Sequence, residues 1–335
     1  MTVSIIIAVK AWQKNLEECV GKCRKLDYPN FEIIILPDSD IGTAPVKAIA
    51  DIKKGTVPPI HIIPTGALSP AQKRDMAINY AKGEILAFID DDAWPKTDWL
   101  KVAIENFKDD DVAAVGGPAV TPPDDNLRQK ASGFVYQSVL TSGKYIYRYI
   151  PKTRCEVEDY PSCNFFVRKS IMQELGGFQT NFWPGEDSKL CLDITKRLGK
   201  KIIYDARVLV WHHRREIFIP HLKQIASYAL HRGYFVKKFP QTSMKISFFL
   251  PSLFLLANLL GITLSLFLVT FRTIYFLGLS LYLLLVLIFS IVGTHPQERR
   301  LSLRALVFAG TILTHLTYGF YFLKGLFSWR LKEEL

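Results

Sequence analysis

Short apolar runs alternate with amphipathic stretches through the first 213 residues. VSIIIAV (3–9), FEIIIL (31–36), IHIIP (60–64), EILAFID (84–90) and VAAVGG (112–117) are continuous and largely β-branched, the pattern of strands covered on both faces. Helix signals separate them. Asn15 is followed three residues on by Glu18, Ser69 precedes Pro70 with Gly83 closing the stretch, and Thr97 stands ahead of DWLKVAIENF. This alternation predicts an α/β domain with a doubly wound, parallel, Rossmann-like sheet, whose ligands bind beyond the carboxyl ends of the strands. That rule points to Ala8, Val9 and Lys10, to residues 37–40, and to Asp90, Asp91 and Asp92.

The pattern changes after residue 215. In 216–245, Ile217, Phe218, Leu222, Ile225, Ala229 and Leu230 share a helical face, while Pro220 and Gly233 divide the stretch into short pieces. This reads as amphipathic helices in the headgroup layer or as a helix capping the domain. Residues 246–271 and 273–294 are uncharged, and 305–323 carry no charged group besides His315. Each approaches the roughly 20 residues that cross a bilayer. Three transmembrane helices follow, at about 246–271, 273–294 and 305–327. Lys237, Lys238 and Lys245 precede the first span and Arg299, Arg300 and Arg304 precede the third, against Arg272 alone between the first two. The expectation is an integral plasma-membrane protein with residues 1–215 in the cytosol. Two basic residues in the tail SWRLKEEL, Arg330 and Lys332, oppose the far-side terminus that three spans imply.

Charge sharpens this division. The chain carries 42 Lys and Arg against 31 Asp and Glu, a formal net charge of +11, yet residues 1–213 hold 28 basic and 27 acidic groups. The basic excess therefore borders the apolar stretches, which excludes nucleic acid as the expected partner. Five unevenly spaced cysteines fit no disulfide framework or paired zinc module, and MTVSIIIAVK lacks the pattern of a signal peptide.

Three adjacent carboxylates at a strand end, Asp90 to Asp92, repel one another unless a cation or solvent offsets them. A hard divalent ion with oxygen ligands is one solution, a solvated acidic turn the other. No G-x-x-x-x-G-K-[ST] occurs and no G-x-G-x-x-G follows the first strand, so neither a P-loop NTPase nor a dinucleotide oxidoreductase is supported. The chain offers instead SIIIAVK, Asp38, QKRD at 72–75, the D-x-D at 90–92, Asn164 with Arg168, LGGF at 175–178, GED at 185–187, and a strand ending in His212.

That order resembles the family 2 inverting glycosyltransferases of the GT-A fold. The resemblance implies a nucleotide-sugar donor, with uridine favoured, seated by Ala8, Val9, Lys10 and Asp38; Pro37 stands where a partner carboxylate is usual. It also implies Arg74 near the donor diphosphate, Asp91 within the donor site, Asp92 directly on Mg²⁺ or Mn²⁺, Asp90 on the donor ribose or the same metal, and Asp187 as general base. Glu186 and Asp187 also suit a helix N-terminus, and Arg74 a solvated helix surface. Strand alternation lets only one of His212 and His213 face the metal, and His212 is taken as the third ligand, with a structural histidine as the other reading. Glu186, Arg214 and Arg215 are acceptor-side candidates, the arginines serving a phosphate or the membrane surface. No Q-x-x-R-W follows Gln224, which argues against a polymerising synthase. The expected reaction is transfer to a hydroxyl of a lipid-linked or membrane-bound acceptor. The alternatives are transfer to a polyprenyl phosphate and an inactive sugar-nucleotide sensor.

Overall fold

A computed structural model describes residues 1–40, 58–294 and 300–334. Arg299 and His295 lie outside the described residues. The chain divides into two compact units: Met1–Val120 with Ile150–His213, and Thr121–Tyr149 with Arg214–Leu335.

The first unit is built on a sheet of eight strands. In chain order the strands are β1 (Val3–Ala8), β2 (Phe31–Leu36), β3 (Ile60–Ile62), β4 (Ile85–Ile89), β5 (Ala93–Pro95), β6 (Val112–Gly116), β7 (Ala119–Val120), β8 (Cys155–Val157), β9 (Asn164–Arg168), β10 (Lys201–Tyr204) and β11 (Val210–His212). The large sheet runs β3-β2-β1-β4-β9-β6-β10-β8, and a small one runs β5-β11-β7. The parallel arrangement holds for β3, β2, β1 and β4 and again for β6 and β10. The sheet is mixed, because β9 pairs antiparallel with both β4 and β6, and β8 antiparallel with β10. A continuous apolar run reports burial on two faces and carries no sign for strand direction. Ile5, Ile7, Ile33, Ile35, Ala87 and Ile89 form one buried cluster with Trp99 and Phe107 from the Trp99–Asn106 helix and its cap.

In the second unit, the helix Ile219–Lys238 is continuous where the sequence suggests a break. Pro220 occupies the first turn, where its missing N–H costs nothing. Gly233 does not end the helix: a Cβ there would strike the Phe322 carbonyl, so glycine serves a close helix–helix approach. Three further helices, Ile246–Ser265, Val269–Val292 and Leu301–Phe327, are long and apolar enough to cross a membrane. Arg272 falls inside the second of these rather than between spans, because the first already ends at Ser265.

Candidate active site

The site assembles at the carboxyl ends of β1, β2 and β4. β4 delivers Asp90, Asp91 and Asp92 into a turn that leads straight into β5, and β11 returns antiparallel with His212 opposite Ala93. That register sets His212 beside Asp92, with Nε2 3.0 Å from Oδ1. Ligand atoms of Asp90, Asp92 and His212 all lie within 4.8 Å of one another, and all three residues are partly buried. Two carboxylate oxygens and one imidazole nitrogen suit Mn²⁺ or Mg²⁺, and partial exposure leaves the group accessible to phosphate oxygens. The residues present therefore fit a divalent ion. His213 faces elsewhere, as strand alternation requires: its Nε2 lies 3.2 Å from Glu18 Oε2, while its N–H donates to the Asp92 carbonyl at 3.0 Å. Asp91 also turns away from the cluster and accepts from the Gln13 side chain. Burial raises its pKa to about 6, with the Asp92 and Asp90 charges adding to the shift.

The helix Pro70–Ile78 supplies the cations. Ser69 and Gln72 close a reciprocal capping box over its first turn, which fixes where the QKRD residues fall. Arg74 is buried, which removes the solvated-surface reading. Its Nη2 donates to Asp90 Oδ1 at 2.9 Å and its Nη1 to Glu186 Oε1 at 3.3 Å, so one guanidinium joins the D-x-D to the GED. Lys73, which sequence reasoning missed, is also buried. It donates to the Val9 carbonyl, to the Leu36 carbonyl at 3.1 Å and to Asp38, thereby clamping the β1 and β2 ends together. Asp38 N–H donates back to the Lys10 carbonyl at 2.9 Å. Ala8 closes β1 opposite Leu36. The signal for Lys73 lay in its place beside Arg74 in a helix that must cover strand ends.

Glu186 and Asp187 open the helix Glu186–Leu192. Glu186 is 4% exposed; burial first, then the Asp187 charge, push its pKa up to about 8 against the pull of Arg74. Asp187 accepts from Ser188 N–H at 2.8 Å and from Ser162 N–H at 3.3 Å. The Asn164 side chain holds the Gly117 and Val208 carbonyls at 2.7 and 2.8 Å, and Arg168 holds the Val112 and Phe107 carbonyls, so this motif braces β9 rather than reaching the site. Arg214 and Arg215 belong to the second unit. There Arg214 is buried, with its guanidinium 5.7 and 5.2 Å over the Tyr136 and Tyr149 rings, and Arg215 is exposed.

A mixed sheet with a strand-end D-x-D, a histidine returned beside it and a helix-opening GED defines the GT-A class of glycosyltransferases. Residues 4–176 match the family described as Glycosyl transferase family 2, and the chain belongs to that family. Glycosyltransferase AglE of Haloferax volcanii is 26% identical over 196 residues, covering 55% of this chain and 58% of that protein. The glucosyl-dolichyl phosphate glucuronosyltransferase of the same organism is 25% identical over 138 residues, covering 39% and 43%. The chain thus spans less than two thirds of the length of these curated relatives. Among solved structures, a mannosyltransferase from Pyrobaculum calidifontis in complex with GDP-Man and Mn²⁺ superposes with a TM-score of 0.64 at 17% identity, over 97% of this chain and 87% of that one. That likeness shows the fold.

Proposed function

We propose that this glycosyltransferase moves a sugar from a nucleotide diphosphate donor, with inversion, onto a hydroxyl of a lipid-linked or otherwise membrane-bound acceptor. Its catalytic domain, residues 1–215, acts at the cytosolic face of the plasma membrane and depends on Mg²⁺ or Mn²⁺. The observation that carries the reading is the Arg74 guanidinium, 2.9 Å from Asp90 and 3.3 Å from Glu186, which ties the metal-ligating end of β4 to the helix bearing Asp187. Bound by Asp90, Asp92 and His212, the ion would supply charge to offset the departing diphosphate. Asp187 takes the proton of the attacking hydroxyl; two backbone N–H groups fix its orientation. Lys73 presents Asp38 and the Val9 to Lys10 backbone to the nucleoside. A uridine donor is the first choice, and GDP-Man, bound by the Pyrobaculum enzyme, is the second to test. The Haloferax relative is named for a lipid-linked sugar acceptor, which supports a hydroxyl nucleophile.

The Asp187→Asn variant tests the reading. It keeps the shape and removes the basicity. With the true acceptor, identified by mass spectrometry of membrane lipids incubated with a nucleotide-sugar panel, turnover should fall at least about a hundredfold while donor binding persists. Near-parental turnover would instead assign the reaction to a polyprenyl phosphate acceptor, whose ionised oxygen has no proton to surrender.

A further inference from the structure

Leu301–Phe327 is apolar enough to cross a bilayer, but two of the helices it packs against within the second unit, Leu127–Tyr136 and Ile219–Lys238, are not. Toward its start, Leu303 and Val307 join Ala131, Val135 and Ile217 in one buried cluster, against the helix Leu127–Tyr136. Its later part follows Ile219–Lys238 along that helix's length. Thr314 Oγ1 lies 2.9 Å from His221 Nε2, Phe322 shares a cluster with Ala229 and Val236, and the Ser328 carbonyl accepts from Lys237 at 2.6 Å. At 1.5 Å of rise per residue, contacts from His221 to Lys237 and from Thr314 to Ser328 keep the two helices side by side for about 20 Å. Ile219–Lys238 carries Lys223, Arg232, Lys237 and Lys238, and Leu127–Tyr136 carries Arg128 and Lys130. Helices with that charge stay out of hydrocarbon, and a helix locked along them shares their depth.

The helix also meets both spans: the Tyr282 hydroxyl of Val269–Val292 lies 2.9 Å from His315 Nδ1, and three contacts reach the first span. Phe249 meets Phe322 with ring centroids 4.9 Å apart, Ser252 Oγ donates to the Gly319 carbonyl at 2.9 Å, and Phe254 lies 6.3 Å from the His315 ring. All three contacts fall within the first half of Ile246–Ser265. On the opposite side, Leu313, Phe320 and Phe327 recur every seven residues and are 37, 57 and 80% exposed, an apolar stripe on a helix whose other face is covered. Such one-sided exposure suits a helix lying in the interface plane.

We infer that Leu301–Phe327 is a membrane-surface helix and that the chain crosses the bilayer twice, at Ile246–Ser265 and Val269–Val292. The partner of its exposed stripe is the lipid surface on the side of the catalytic unit. Flanking charge then becomes consistent. Lys237, Lys238, Lys245, Arg300, Arg304, Lys324, Arg330 and Lys332 all fall on one side, and Arg272 alone begins on the other. The basic tail that opposes a third span is thereby accounted for.

A membrane-impermeant maleimide applied to sealed vesicles of each orientation tests this on the full chain. The inference rests on membrane anchoring and needs no turnover, so its outcome is separate from that of the transfer reaction. Native Cys155, exposed in the catalytic unit, reports one side; a thiol at Phe267, 77% exposed between the two spans, reports the other. Trp329→Cys, or Arg330→Cys should the first not fold, is expected to label together with Cys155. Labelling together with Phe267→Cys would restore a third span and overturn the inference. Labelling of all three positions from one side would overturn it as well, by removing both spans.

Discussion

Asp91 and Asp92 are adjacent in the chain and opposite in setting. Asp92 lies 3.0 Å from His212 and within the cluster that fits a divalent ion, whereas Asp91 meets Gln13. Asp92→Asn should therefore abolish transfer and metal-dependent donor binding together. Asp91→Asn leaves an oxygen for Gln13 and removes one charge from a crowded turn, so its loss should stay within about tenfold. Calorimetric donor titrations with Mn²⁺ and with excess chelator separate the two; equal losses would place the ligands in the wrong register. Chelator alone should also stop the parent enzyme, because unneutralised carboxylates repel a diphosphate. At this scale the acidic cluster and His212 were legible because strand periodicity and charge crowding both act locally. Lys73, Arg74 and Glu186 were less so. Ordinary expectation exposes such residues, and their burial follows from partners 16 to 112 positions away.

At the scale of elements, Asp75 latches the end of one helix to the turn after another. It accepts from Phe178 N–H at 2.9 Å, and Gly177 passes so close, at φ +89°, that any Cβ would strike its carboxylate. Burial raises the Asp75 pKa to about 6. A carboxyl whose folded pKa exceeds its unfolded one contributes stability below the unfolded value, and that contribution is lost as pH rises through the folded value. Asp75→Asn keeps the acceptor and removes the ionisation. The parent's stability should therefore decline relative to the variant between about pH 4 and 6, leaving Asn ahead by about 1–2 kcal/mol at pH 7 after allowance for solvent at the carboxylate. The same pH dependence of stability in both proteins across that range would refute the raised ionisation of Asp75. QKRD and LGGF were both visible in the sequence, but nothing local joins them, since the contact spans 103 positions. The same limit hid the direction of β9: NFFVR reads as a buried strand in either orientation.

For the molecule as a whole, the two units divide the charge unequally. The unit containing the membrane helices carries 18 Lys and Arg against six Asp and Glu, so the entire excess of +11 resides there and the catalytic unit is slightly acidic. From residue 217 to 294 there is no acidic residue. A near-neutral catalytic unit does not repel an anionic nucleotide sugar strongly, while the basic unit is drawn to an anionic lipid surface. Lys237 and Lys238 are exposed at the end of Ile219–Lys238 and suit a test of that attraction. Each basic group near an anionic bilayer contributes about 1 kcal/mol, so replacing both by Gln should weaken use of a membrane-bound acceptor by roughly thirtyfold. Hydrolysis of the donor, which needs no lipid, should persist. Salt offers an independent check on the same protein, because the screening length shrinks from about 8 Å at 0.15 M to about 3 Å at 1 M. High salt should therefore depress transfer by the parent toward the level of the double variant and change the variant little. If transfer in anionic liposomes is unaltered by both the substitutions and the salt, surface charge has no part in bringing acceptor to this enzyme, and its affinity must come from contacts with the acceptor itself.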